Sequence, residues 1–446
     1  MQIKQFEDKN LSHYSYAILS NHEIALIDPA RDPQPYYDFA AQHHARIVAV
    51  IETHPHADFV SSHLEIAHHT GAAIYVSKLL GAEYPHQPFD EGDAIISGHI
   101  TLKALNTPGH SPDSISIVAL DENENEKAVF TGDTLFIGDC GRPDLREKAG
   151  AITAARSELA RQMYHSLREK LMQLPDEVEV YPAHGAGSLC GKGLSEQNRS
   201  TIGAEKISNW SLQKLSKEKF VHKLLEGQPY VPKYFPFNVG INKKGAEDFT
   251  KSILKIKKIN ASAVEKTDPS VTVIDTRPQA AFKKGHLKNA INLMRDRSFE
   301  TWLGSLVSPD EPFYLIAENE QKLDQLIARI AKIGYEQQIK LAISGDIGTT
   351  TMEYFDSDEL KKDHNAFTIL DIRNPSEVEE KKIFRNAMHI PLYELRDRLS
   401  EIPKDKPIVV HCAAGFRSAA GSSIIHSKFD GVTKVYDLGD AVKTFH

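Results

Sequence analysis

Two imidazoles and a carboxylate fall within five residues, His54-Pro55-His56-Ala57-Asp58, directly after the apolar run Ile47-Val48-Ala49-Val50-Ile51. A short β-branched run of that kind reads as a buried strand. The chain must therefore fold so that ligand-type side chains gather at a strand end. In extended backbone, residues two apart project to one side, so both rings point the same way. Asp58 then suits the N-cap of a helix running through Leu64, Ile66 and Ala67 to a stop at Gly71.

Three further segments repeat this pattern. Thr101-Leu102-Lys103-Ala104-Leu105 leads to Gly109-His110, Ala128-Val129-Phe130 to Gly132-Asp133, and Val178-Glu179-Val180-Tyr181 to His184. A lone histidine in a chain holding 21 of them is ordinarily a loop or surface residue, which is how His43, His44, His68 and His69 are read. Four strand ends carrying such residues predict convergence on one edge, in a hydrophobic sandwich that positions a metal.

In order and context, His54-x-His56-x-Asp58, Gly109-His110, Gly132-Asp133 and His184 resemble the metal motifs of the metallo-β-lactamase superfamily. Two-metal members of that family carry a histidine directly after the aspartate, where this chain has Phe59. Phenylalanine cannot ligate, so a single-metal site is expected. The chain thus resembles the persulfide dioxygenase branch, which implies one Fe(II) per chain on His54, His110 and Asp133, with His56, Asp58 and His184 behind them. Two imidazoles and one carboxylate leave positions open for oxygen and a substrate sulfur, which suits iron. Residue types alone leave open a zinc site of His54, His56 and His110.

Gly138-Asp139-Cys140-Gly141-Arg142-Pro143-Asp144 resembles the Cys-Gly-Arg-x-Asp loop of the same branch. Arg142 either fixes a substrate carboxylate or pairs with Asp144. After His184, the glycine-rich Gly185–Gly193 segment holds Cys190, read either as an inert buried thiol or as one that handles sulfur near the metal.

The second half repeats itself. Val271-Thr272-Val273-Ile274-Asp275-Thr276-Arg277-Pro278 recurs as Phe367-Thr368-Ile369-Leu370-Asp371-Ile372-Arg373-Asn374-Pro375, and each copy continues to an apolar strand and then Gly345-Asp346 or Gly439-Asp440. A spacing near 95 residues indicates two small α/β domains of one kind. Both resemble rhodanese domains. Only the second has a thiol loop, His411-Cys412-Ala413-Ala414-Gly415-Phe416-Arg417-Ser418. Backbone N–H groups and a helix start there would face the sulfur, and Arg417 would add positive charge, making Cys412 a nucleophile. The first copy reads Ile316-Ala317-Glu318-Asn319-Glu320 at the matching place, which predicts a scaffold.

The expected fold is α/β multidomain: an αββα sandwich over 1–244, an inactive rhodanese-like three-layer domain over 245–350 and a catalytic one over 351–446. A formal net charge of −8 argues against a nucleic-acid partner. No apolar run nears the roughly 20 residues of a membrane span, and the charged start is unlike a secretory signal. Three cysteines suit a reducing cytoplasm, and the thiol-free copy leaves surface for self-association into a homo-oligomer. The expected activity oxidises a small thiol persulfide with O₂ to sulfite and forms thiosulfate through Cys412. The competing readings are a zinc thioester hydrolase of glyoxalase type and a non-catalytic sulfur carrier or sensor.

Overall fold

A computed structural model of the chain describes residues 1–145 and 155–445. Contacts divide it into two compact units, Met1–Ser252 with Ala331–Gly334, and Ile253–Ile330 with Tyr335–His446.

In the first unit, strands His13–Ser20 and Glu23–Ile27 form a hairpin. Its two turn residues, Asn21 and His22, both have positive φ, the conformation that matches the twist of a two-residue hairpin. Six strands from Gln2–Asp8 to Gln87–Pro88 make one sheet, and six from Ala94–Ser97 to Ser200–Thr201 make another. Alternation decides what lies between them. Tyr16, Ile18, Ile27 and Ile51 from the first sheet meet Leu102, Ile117, Phe130 and Tyr181 from the second. The opposite faces are covered by helices: Tyr36, Phe39 and Ala40 of Gln34–Gln42 on one side, Leu159, Ala160 and Met163 of Arg156–His165 on the other. The result is an αββα sandwich.

The helix after the histidine motif begins only at His63, with Ser62 at the N-cap position and its hydroxyl given to the Ala30 carbonyl, and ends at Gly71 in the left-handed conformation. Asp58 is therefore not its N-cap. Residues 52–62 instead form a buried irregular loop, and the Asp58 carboxyl turns toward His184.

The second unit holds two parallel sheets. One has five strands in the order Lys258–Asn260, Ile339–Ser344, Phe313–Ala317, Thr272–Asp275 and Ala290–Asn292. The other has four, Met388–His389, Thr368–Asp371, Ile408–His411 and Val435–Asp437. The repeated Asp-x-Arg motif has one physical job in both. Arg277 clasps Asp275 through Nε and Nη2 at 3.0 and 2.6 Å and donates to the Gly285 carbonyl. Arg373 clasps Asp371 at 2.9 and 2.6 Å and donates to the Lys381 carbonyl, the same eight residues on. Each buried ion pair thus ties a strand end to the turn after the following helix.

Among the described residues no helix is long and apolar enough to cross a membrane.

Candidate metal centre and thiol loop

His54, His110 and Asp133 meet so that one ligand atom of each lies within 4.8 Å of the others. His56, Asp58 and His184 meet by the same measure, as do Asp133, His184 and Cys190. All seven side chains are buried.

Hydrogen bonding at the far ring nitrogen orients three of the imidazoles. Thr53 gives its hydroxyl proton to Asp28 Oδ2 at 2.8 Å, so its oxygen accepts from His54 Nδ1 at 3.0 Å. His110 Nδ1 donates to the Arg142 carbonyl at 2.9 Å, and His184 Nδ1 to the Ser12 carbonyl at 3.2 Å. These bonds turn each Nε2 toward one cluster. The three lie 3.8, 3.4 and 3.5 Å from oxygens of Asp133. Both Asp133 oxygens are buried without a hydrogen-bond partner. Lone pairs converging on a buried carboxylate repel unless a cation stands among them. This donor set fits a divalent metal.

His56 faces elsewhere. Its Nε2 lies 3.1 Å from Asp28 Oδ1 and 3.7 Å from Glu52 Oε2. Burial opposes its charged form, yet the Asp28 and Glu52 carboxylates outweigh that and hold it up to about 9. Burial and the Asp28 charge push Glu52 up to about 8. Asp58 is raised, first by burial and also by Asp133, with His184 opposing. Phe59, 1% exposed, packs its ring 3.8 Å from that of His13 and 4.4 Å from that of His56.

The Cys-Gly-Arg loop closes over Asp133 and His110. A Cβ at Gly141 would sit 1.9 Å from the Asp133 carbonyl oxygen and 3.1 Å from His110 Cβ, so only glycine lets the backbone pass. Arg142 donates from Nε and Nη2 to the two Asp144 oxygens, both at 2.7 Å, and from Nη1 to the Leu189 and Tyr230 carbonyls. Of the two readings of Arg142, the pair with Asp144 is the contact present in the structure. Arg142 also presents its carbonyl to His110 and donates its backbone N–H to the Cys190 carbonyl at 2.9 Å. Burial, then the Asp133 and Asp58 charges, push the Cys190 thiol well above its ordinary value.

Sequence reading missed several residues that hold this site. Asn242, buried within the helix Phe235–Lys244, donates to the His56 and Phe59 carbonyls at 2.8 Å each and accepts from Ser61 N–H. An asparagine in a helix interior is the available signal, because it forgoes helix propensity for a tertiary contact. Asp28, whose carboxylate takes the Thr53 backbone and hydroxyl protons, sits at positive φ, a conformation that sequence does not advertise. His13 and Glu52 complete the buried shell.

The thiol loop lies in the second unit. Strand Ile408–His411 leads to Cys412, and helix Phe416–Phe429 follows Gly415 at φ 96°. Gly415 N–H and Ser418 N–H point to Cys412 Sγ at 3.1 and 3.4 Å. Arg417 is not an uncompensated charge beside the sulfur, as sequence suggested: Glu377 takes Nη1 at 2.5 Å and Nη2 at 2.8 Å. The backbone donors remain to favour an anionic sulfur. In the first copy the corresponding strand Phe313–Ala317 runs into Glu318, which pairs with Lys322 and Arg295.

Residues 9–184 match the metallo-beta-lactamase superfamily, and residues 261–345 and 356–445 each match the rhodanese-like domain. The chain is 30% identical over 216 residues to the mitochondrial persulfide dioxygenase ETHE1 of Bos taurus, spanning 46% of this chain and 77% of that one. It is 32% identical over 176 residues to the cytoplasmic hydroxyacylglutathione hydrolase of Arabidopsis thaliana, spanning 39% and 63%. A crystal structure described as a metallo-beta-lactamase from Staphylococcus aureus subsp. aureus COL superposes with a TM-score of 0.68 at 32% identity, covering 77% of this chain and 99% of that one.

Proposed function

The chain belongs to the metallo-beta-lactamase superfamily, with two rhodanese-like domains after that fold, and from this premise we propose that it is a persulfide dioxygenase coupled to a sulfurtransferase. The observation that carries the reading is the convergence of three Nε2 atoms on the buried Asp133. His54, His110 and Asp133 would hold Fe(II), which would supply the chemistry of binding oxygen beside a sulfur donor. The persulfide reading is supported by the ETHE1 relatives and by a sulfur-handling domain type in the same chain.

The protein's own groups do the rest. Thr53 and Arg142 orient the rings of His54 and His110 through Nδ1, Asp58 and His184 line the Asp133 side, and Phe59 withholds a second set of donors. Of the two readings of Cys190 beside Asp133, burial and the Asp133 and Asp58 charges favour the inert buried thiol. The net change is RSSH + O₂ + H₂O to RSH, sulfite and two protons. At the second site the Cys412 thiolate attacks the outer sulfur of a persulfide and RS⁻ leaves. A sulfite lone pair then attacks that sulfur, the Cys412 S–S bond breaks, and thiosulfate departs. Domain boundaries near residues 244 and 350 go with this division of labour.

Oxygen consumption by iron-loaded protein with glutathione persulfide and coenzyme A persulfide tests the reading; no uptake with either overturns it. The trio His56, Asp58 and His184 favours one competitor, a two-zinc thioester hydrolase. Two zinc ions per chain, with thioester hydrolysis and no oxygen uptake, would replace the proposal with that.

A further inference from the structure

Four residues of the thiol-free copy belong to the compact unit that holds the metal centre. Ala331–Gly334 lie inside the stretch 261–345 that matches a rhodanese-like domain, yet they pack within the first unit. They close the helix Glu320–Ala331. Gly334, at φ 70°, donates its N–H to the Ala331 carbonyl at 3.1 Å, and the Tyr335 N–H reaches the Ile330 carbonyl at 3.2 Å. That pair of bonds is a Schellman cap, which needs the left-handed residue that glycine supplies. The cap satisfies two carbonyls of the last turn and leaves that of Lys332 for another donor.

That donor is Val60, whose N–H reaches the Lys332 carbonyl at 2.8 Å. Val60 is buried in the irregular loop 52–62, where a backbone N–H has no ladder partner and must find one elsewhere. It sits between the loop's bonds to Asn242, which donates to the Phe59 carbonyl and accepts from the Ser61 N–H. Packing adds to the bond. A Cβ at Gly334 would come 3.1 Å from Val60 Cγ2 and 2.7 Å from Cδ1 of Ile241, the residue before Asn242. Ile333 is fully buried, and Lys332 Nζ pairs with Asp8 Oδ2 at 2.6 Å, at the end of the strand Gln2–Asp8.

We infer that the turn Lys332–Gly334 positions the metal-binding loop, with Gly334 as its positioning residue. The inference rests on the metal reading of His54, His110 and Asp133. Residues 52–62 carry no helix or strand, so the backbone that bears His54 and Asp58 keeps its shape through tertiary bonds. Those bonds fall on three consecutive residues, Phe59, Val60 and Ser61, directly after Asp58. Asn242 supplies the outer two and the Lys332 carbonyl the middle one. Removing the left-handed turn at Gly334 moves that carbonyl and loosens the loop beside the ligands. The thiol-free copy thus serves the metal site through its backbone, a role that needs no thiol.

The test uses the full-length protein with Co(II) as the probe, because its visible absorption reports the ligand field and chelator competition reports affinity. Gly334→Ala puts a Cβ into a left-handed turn, against Val60 and Ile241. Gly431→Ala is the control: that glycine also has positive φ, 74°, but a Cβ there meets nothing within 4 Å. In Gly334→Ala the Val60 amide exchanges its hydrogen about tenfold faster, and Co(II) binds about tenfold more weakly with shifted absorption bands. Gly431→Ala matches the parent protein in all three. Co(II) affinity and bands in Gly334→Ala equal to those of the parent, or equal losses in both glycine variants, overturn the inference. So does rapid exchange of the Val60 amide in the parent protein itself, a measurement that does not depend on a variant folding. A parent protein that binds no Co(II) overturns the metal reading instead.

Discussion

His110 and Arg142 are joined by a hydrogen bond from the imidazole Nδ1 to the arginine backbone carbonyl, 2.9 Å long. That single bond connects a proposed metal ligand to a guanidinium whose fork is closed on Asp144. Arg142→Lys keeps the charge but loses the bidentate grip. It should weaken metal binding about tenfold, through a looser carbonyl at His110, in a chelator competition titration. An unchanged metal affinity would show that the loop holds its shape without the Asp144 pair.

Asp133 carries both halves of the metal argument, as ligand and as a buried carboxylate that no donor satisfies. Asp133→Asn should abolish stoichiometric metal binding. Without metal it should also be more stable than the metal-free parent by about 1–3 kcal/mol, because the desolvation cost of a buried carboxyl among imidazoles is reduced. Denaturant unfolding of both metal-free proteins checks the sign. A less stable variant would mean that a proton or another group already satisfies that carboxylate.

Cys412→Ser should leave oxygen uptake intact and divert the product from thiosulfate to sulfite. Ion chromatography of the products decides it, and undiminished thiosulfate would remove Cys412 from the pathway.

Much of this was legible in the sequence where a residue type and a strand end coincide. His54, His110, Asp133 and His184 each follow an apolar run, and that pairing of pattern with chemistry survives without tertiary information. The repeated Asp-x-Arg was legible for a similar reason, since its clasp spans two residues. What was not legible depends on distant chain. The bond that engages Arg142 Nη1 ends at Tyr230, and Asn242 reaches back 186 residues to the His56 carbonyl. Asp58 looked like a helix cap because local spacing allows it, but the buried loop takes that carboxyl to His184.

His286 gives the second unit a pH-dependent stability. Its ring stacks 3.8 Å from Phe282, and burial lowers it to about 4, with the Phe282 carbonyl only partly offsetting this. The unfolded chain therefore takes up a proton near pH 6.5 that the folded ring refuses. Stability is complete above about 6.5 and falls as pH drops toward 4. His286→Gln should reduce that fall by about 2 kcal/mol. Trp302 fluorescence in a Trp210→Phe background reports this unit alone, since the chain has two tryptophans. An identical pH slope in both proteins would assign the effect to other groups.

On the proposed reading, Phe59 limits the sandwich to one metal. Its ring lies against His13 and His56 beside Asp58, where it fills space and offers no donor. Phe59→His would place an imidazole next to Asp58 and His184, whose facing atoms are 3.5 Å apart. Without metal the new polar group is buried at a cost of about 1–3 kcal/mol. Bound metal should recover that stability, because three donors then share a second cation. The expected result is one metal per chain in the parent protein and two in Phe59→His by elemental analysis, with a larger metal-induced rise in melting temperature. Equal stoichiometry in both proteins would show that space, and not the missing ligand, limits the second position.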